Sequence, residues 1–121
     1  MRIVLLAALV ASGCIHEPQV VHLRRDALPW PLGQPYEDRV DPDQNAVRVI
    51  RVELTEAAGL HFSCIGGAQM AIYSSAEAPL YDGPCAEKTL RDLTPGSYFL
   101  VGSVSGGRGE ISLRADAVPG D

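Results

Sequence analysis

The sequence holds one lysine, Lys88, one tryptophan, Trp30, and too few basic residues to balance its acids, with Lys and Arg totalling 10 against 15 Asp and Glu. The formal charge of −5 becomes −6 once Arg2 is lost with the first thirteen residues. Nucleic-acid binding rests on cations that neutralise phosphates, so no nucleic-acid partner is expected. No apolar run approaches the ~20 residues of a membrane-spanning helix, since Ile3 to Ala11 is about half that length. A phosphate-cradling loop is missing, because Lys88 follows Glu87 and not glycine. Cys-x-x-Cys spacing is absent, which disfavours a redox role. There is no repeat period and no low-complexity tract.

What is present is turn punctuation. Glycine (12) and proline (9) are abundant enough in 121 residues to favour short strands over long helices, and the length allows one domain. From Ala46 onward, short alternating runs follow one another. Ile50, Val52 and Leu54 share one parity and Val47 and Val49 the other, with Arg48, Arg51 and Glu53 read as the polar side and a bulge near Val49 reconciling the halves. Leu60, Phe62 and Cys64 alternate with His61 and Ser63, and Met70 and Ile72 with Gln69 and Ala71. Leu80-Tyr81 precedes an Asp82-Gly83-Pro84 turn, and Thr89 to Leu93 is a weak strand. Ser97 to Val104 is apolar on both parities, the pattern of a central strand covered on two sides. Ile111, Leu113 and Ala115 alternate with Glu110, Ser112 and Arg114, and the glycines at 106, 107 and 109 suggest a hairpin joining the last two strands. The fold class expected is all-β, a small antiparallel β-sandwich of about six or seven short strands at 45–118, with a small barrel as the alternative.

Ahead of that domain lie two different segments. Met1-Arg2 supplies a positive charge, Ile3 to Ala11 an apolar run, and Ala11-Ser12-Gly13 small residues before Cys14, the layout of a signal peptide over 1–13. Ala11-Ser12-Gly13-Cys14 resembles the lipobox of bacterial lipoproteins, with Ala11 where leucine is usual. The resemblance implies a diacylglyceryl group on the sulfur of Cys14 and cleavage on its amino side. It also implies location in the bacterial cell envelope, with the outer membrane favoured because Ile15 is not the aspartate of an inner-membrane retention signal. The competing reading is an ordinary secreted protein cut nearby. Residues 14–44, with Pro18, Pro29, Pro31, Pro35 and Pro42, read as a tether or an edge-hugging arm. Trp30 would dock on the domain or sit near the headgroups, and Arg24-Arg25 are either solvated linker residues or a weak attraction to anionic lipid.

Leu93-Thr94-Pro95-Gly96-Ser97-Tyr98-Phe99-Leu100-Val101, then a glycine loop and Glu110-Ile111-Ser112-Leu113, resembles the closing hairpin of bacterial pre-peptidase C-terminal domains, and Met70-Ala71-Ile72-Tyr73 is similar to one of their strands. The resemblance covers about residues 40–118. A proline-glycine turn before a tyrosine-bearing strand also occurs in transthyretin-like and other Ig-like modules. Either likeness implies a non-catalytic accessory module, so the chain is not expected to be an enzyme.

The residues that carry chemistry are few. With Cys14 lipidated, Cys64 and Cys85 remain, and export places them in an oxidising compartment, where one disulfide between them is expected. Two unpaired core thiols are the alternative. His61 and Cys64, three apart on a strand, face opposite ways and cannot share an ion. His16-Glu17 opens no zinc-protease motif, because Val20 stands where a second histidine belongs. Asp41-x-Asp43-x-Asn45 has alternating oxygen ligands, yet Ala46 and Val52 occupy the glycine and glutamate places of an EF-hand, leaving Asp41 and Asp43 as weak calcium candidates beside a plain solvated turn. Gly102-Ser103-Val104-Ser105-Gly106 centres on valine where a nucleophile elbow needs serine. Tyr36, Tyr73, Tyr81 and Trp30 are conceivable sugar-stacking groups, whereas Phe62 and one side of the Tyr98/Phe99 strand belong to the core. No cofactor is expected. The partners expected are a membrane, through the lipid, and an envelope protein or glycan; a small secreted hydrolase or a calcium- or zinc-dependent accessory domain is the alternative.

Overall fold

The computed structural model describes residues 3–4, 20–21, 23–39, 46–104 and 110–118. Every run of alternating residues from Ala46 onward is a strand: β5 (Ala46–Leu54), β6 (Ala58–Ile65), β7 (Gln69–Tyr73), β8 (Pro79–Pro84), β9 (Glu87–Leu93), β10 (Gly96–Val104) and β11 (Glu110–Val118). Ahead of them lie β1 (Ile3–Val4), β2 (Val20–Val21), the single helical turn α1 (Leu23–Asp26), β3 (Leu28–Pro29) and β4 (Tyr36–Arg39). The protein is a β-sandwich. A five-stranded sheet, β3-β5-β10-β7-β8, packs on a four-stranded sheet, β4-β11-β6-β9, and all pairings are antiparallel except β3 with β5. Apart from these, β1 pairs with β2.

Alternation selects the core. Ile50, Val52 and Leu54 of β5, Met70 and Ile72 of β7, and Tyr98 and Leu100 of β10 meet Leu60, Phe62 and Cys64 of β6 and Ile111, Leu113 and Ala115 of β11. Each large side chain removed from water in this way contributes about 1.5–3 kcal/mol. The sheets approach closely at Gly102, where a Cβ would stand 2.8 Å from side-chain carbons of Ile111 and Leu113. Gly102 is therefore an interior strand residue and not part of a hairpin turn.

Four expectations are corrected. Asp82-Gly83-Pro84, read as a turn, is the second half of β8, and the chain turns at 85–86 instead. The six or seven strands expected over 45–118 are the seven from β5 to β11, and β3 and β4, from the segment read as tether, bring the sandwich to nine. Its boundary accordingly lies well before residue 45: Leu23 is fully buried, and Trp30, Leu32 and Tyr36 pack against the core. Edge positions tolerate the prolines of this arm, whose missing donors would break a central strand. No bulge occurs at Val49, since the β5–β10 register runs unbroken from Leu54↔Gly96 to Ala46↔Val104. Both parities are apolar there because the outer face of the sheet is covered too, by Leu23 and Ala27 packed on Val49 and Phe99. Register shifts fall instead between Ala58 and Leu60 on β6 and between Ile72 and Tyr73 on β7. Finally, β10 and β11 do not form a hairpin. Both edges of β10 are occupied by β5 and β7, so β11 crosses to the middle of the other sheet, between β4 and β6.

Candidate functional site

Cys64 and Cys85 are joined, with their Cα atoms 5.1 Å apart. The bond ties β6 to the corner where the chain leaves β8 in one sheet for β9 in the other, and the same corner holds Cys64 N–H to Ala86 O (2.9 Å) and Cys85 N–H to Ala68 O (3.2 Å). Its role is to fix a sheet crossing. Cys14, Asp41, Asp43, His16 and His22 lie outside the described residues. Among the described residues, no group of three or more His, Cys, Asp and Glu is placed to hold a metal ion.

The arm makes one side wall of the sandwich. β3 pairs along β5 at the edge of the five-stranded sheet, Trp30 N–H donates to Arg51 O (2.9 Å), Gly33 N–H donates to Ala115 O (2.8 Å), and β4 then joins β11 at the edge of the four-stranded sheet. Trp30 meets Tyr36 edge-on, centroids 5.1 Å apart, and its indole N–H donates to Gln34 O at 2.9 Å. These two aromatics thus serve as wall and not as an open stacking platform. Next to them the two sheets are bridged by charge. Arg48 Nε donates to Asp38 Oδ2 at 2.5 Å, and the Tyr36 hydroxyl donates to the same oxygen at 2.9 Å. The Arg48 bond holds the Asp38 carboxyl below its ordinary pKa, and Arg48 is raised in turn by that bond. Burial, then the Asp38 carboxylate, pushes the Tyr36 hydroxyl up. Arg48 is on the inward parity with Ile50, not on the polar side, which explains its need for a partner.

Beside this bridge a groove of about 600 Å³ crosses β4, β11 and the end of β6. Register sets its lining, with Arg39 opposite Glu110 and Glu37 opposite Ser112, which is opposite Ile65. Arg39 and Glu110 form a 2.9 Å pair whose side chains are 81% and 71% exposed, so water screens it. Ile65 is 66% exposed, the most exposed large apolar side chain described. At Gly66, φ is +87°, and a Cβ would fall 2.3 Å from Glu110 O, so glycine permits both the turn and the close approach of β6 to β11.

The crystal structure of the pre-peptidase C-terminal domain of a collagenase from Bacillus anthracis matches with a TM-score of 0.58, over 74% of this chain and 94% of that one, at 16% identity. The likeness is one of fold. No family model matches the sequence, and no curated protein matches it.

A second polar cluster lies on the outer face of the four-stranded sheet. His61 Nδ1 is 2.7 Å from Thr89 Oγ1, and its Nε2 is 3.0 Å from Glu87 Oε1. Hydroxyl, imidazole and carboxylate in that order match a hydrolase relay in kind, but the register that pairs His61 with Thr89 is enough to bring them together. They are side-chain neighbours across two strands, flanked by the Arg114–Asp116 pair at 2.9 Å. Two of the groove's three carboxylates are likewise engaged, Asp38 with Arg48 and Glu110 with Arg39. Reading the sequence missed both clusters; the available signals were the alternation in Tyr36 to Arg39 and a charge on the inward parity at Arg48.

Proposed function

We propose that this chain is a lipid-anchored, non-catalytic β-sandwich of the bacterial cell envelope, held to the membrane through Cys14 and contacting an envelope protein or glycan. The observation that carries the reading is the cysteine pattern. The domain closes on its own Cys64–Cys85 disulfide, leaving Cys14, at the end of a signal-like segment, as the odd one of three. A disulfide suits an oxidising, exported setting. The fold is compatible with the non-catalytic part, since the matched structure is the pre-peptidase C-terminal domain of a collagenase. Ile15 after the cysteine favours the outer over the inner membrane.

Intact-mass measurement of membrane-extracted protein tests the reading. The expected species begins at Cys14, carries the mass of a lipid, and lacks two hydrogens for the disulfide. An unmodified chain beginning elsewhere refutes the anchor. Recovery of no partner from envelope extracts, together with no binding on a glycan array, refutes the contact role.

A further inference from the structure

We infer that the sandwich rests against the phospholipid headgroup surface of the membrane that holds its anchor, with the outer face of the five-stranded sheet turned toward it; this rests on the lipidation of Cys14 proposed above. The reasoning begins with chain length. Read as a tether as far as residue 44, the arm would give a reach of about 90 Å at ~3.1 Å per extended residue. The structure shortens it. Leu23 is 0% exposed and, with Ala27, packs on Val49 and Phe99, after which β3 pairs with β5. Only residues 15–22 then separate the lipid-bearing cysteine from a fixed point on the domain, a span of at most about 30 Å at ~3.3–3.6 Å per residue. Cleavage before Cys14 also removes β1, the partner of Val20–Val21, and leaves those residues to the leash.

The leash ends on one particular face. Leu23 sits on the outer side of β5 and β10, where Val47, Tyr73 and Val101 are half-buried around the Leu23 cluster. Leu80, one residue from the inward Tyr81, adds an apolar side chain 38% exposed. The described charges of this face include the Arg51–Glu53 pair at 3.2 Å, Asp82, and Asp26 on the helical turn that covers it. The outer face of the other sheet exposes Ile65 but is dominated by charge pairs, Arg39–Glu110, His61–Glu87 and Arg114–Asp116. Water favours the charge-paired face, and an interfacial lipid layer accepts the apolar one. The sheet with the groove and the His61 cluster is left pointing away from the bilayer, toward any partner.

The test uses the mature lipidated protein in vesicles of phosphatidylethanolamine and phosphatidylglycerol that carry a headgroup quencher. A fluorescent amino acid replaces either Gln69, on the outer face of the five-stranded sheet, or Ser63, on the outer face of the other. Several-fold stronger quenching at 69 than at 63 is expected, and a flexible Gly-Ser insertion between Val21 and His22 should bring the two toward equality. Equal quenching with the natural leash, or stronger quenching at 63, overturns the inference while leaving the anchor standing. The mass of the same sample separates the two readings: a chain without lipid overturns both.

Discussion

Tyr98 shows how much one polar atom can do in a buried site. Its ring is in the core at 5% exposed, and its hydroxyl donates to Thr94 O, four residues earlier, at 2.6 Å. That bond pins the Thr94-Pro95-Gly96 turn to the strand it launches, in the manner of a tyrosine corner. Tyr98→Phe keeps the ring and removes the donor, leaving the carbonyl short of a partner. It should cost about 1 kcal/mol, read as a lower urea midpoint with an unchanged slope. Cys64 and Cys85 act on the unfolded chain instead. Their sequence separation is 21, and closing a loop of that order removes enough unfolded-state entropy to be worth ~3 kcal/mol. Replacing both by alanine should lower unfolding free energy by about that amount, and reductant should then have no further effect on the double variant. A response of the double variant to reductant would place the stabilisation elsewhere.

At the scale of elements the arm decides most. Leu23 and Ala27 cover Val49 and Phe99, and β3 and β4 extend one sheet each. Leu23→Ala should cost ~2 kcal/mol, the low end for a buried leucine, because release of the arm limits the loss. Hydrogen exchange at the Trp30 amide, bonded to Arg51 O, should quicken more than at amides of β10. Uniform acceleration across the sandwich would mean that the arm is not a separable unit. This is also where the sequence was hardest to read. Most strands from β5 to β11 were legible because alternation reports a half-buried sheet, but β8 was not, since Asp82-Gly83-Pro84 reads as a turn and yet continues the strand, the chain turning at 85–86. The double-sided burial of β10 was legible for the same reason. The arm was not, since two- and four-residue strands are too short to show a period and prolines read as linker. Nor was strand order: nothing local in Gly96 to Val118 says that β5 and β7 occupy both edges of β10. The disulfide followed from counting cysteines, whereas the Asp38–Arg48 bridge depended on bringing two different sheets together.

At the scale of the molecule, the described residues hold the sheets face to face through the apolar core, the disulfide at the β8–β9 corner and the Asp38–Arg48 bridge, beside the arm that bonds to both. The Asp38–Arg48 bridge titrates in the acid range. The Arg48 bond lowers the Asp38 pKa in the folded state, so the folded protein binds its proton less readily than the unfolded chain does. The stabilisation is therefore complete above the unfolded carboxyl value near ~3.9 and is lost as pH falls through the depressed folded value. Both side chains are 33% exposed, so the yardstick is a partly screened pair worth up to about 1 kcal/mol, well short of a buried one. Asp38→Asn removes the charge while leaving an oxygen for the Tyr36 hydroxyl. It should be less stable than the parent by up to about 1 kcal/mol at neutral pH, and the gap should close on acidification below the folded value, where the parent carboxyl is protonated as well. Arg48→Met replaces the buried-facing cation and should flatten the acid limb in part, because Asp38 then loses the strongest of the partners that depress it and keeps the Tyr36 hydroxyl and the Arg39 amide. A gap that persisted unchanged through the acid range would mean that Asp38 supports the fold by shape and hydrogen bonding alone, and that the two sheets are not held together there by charge.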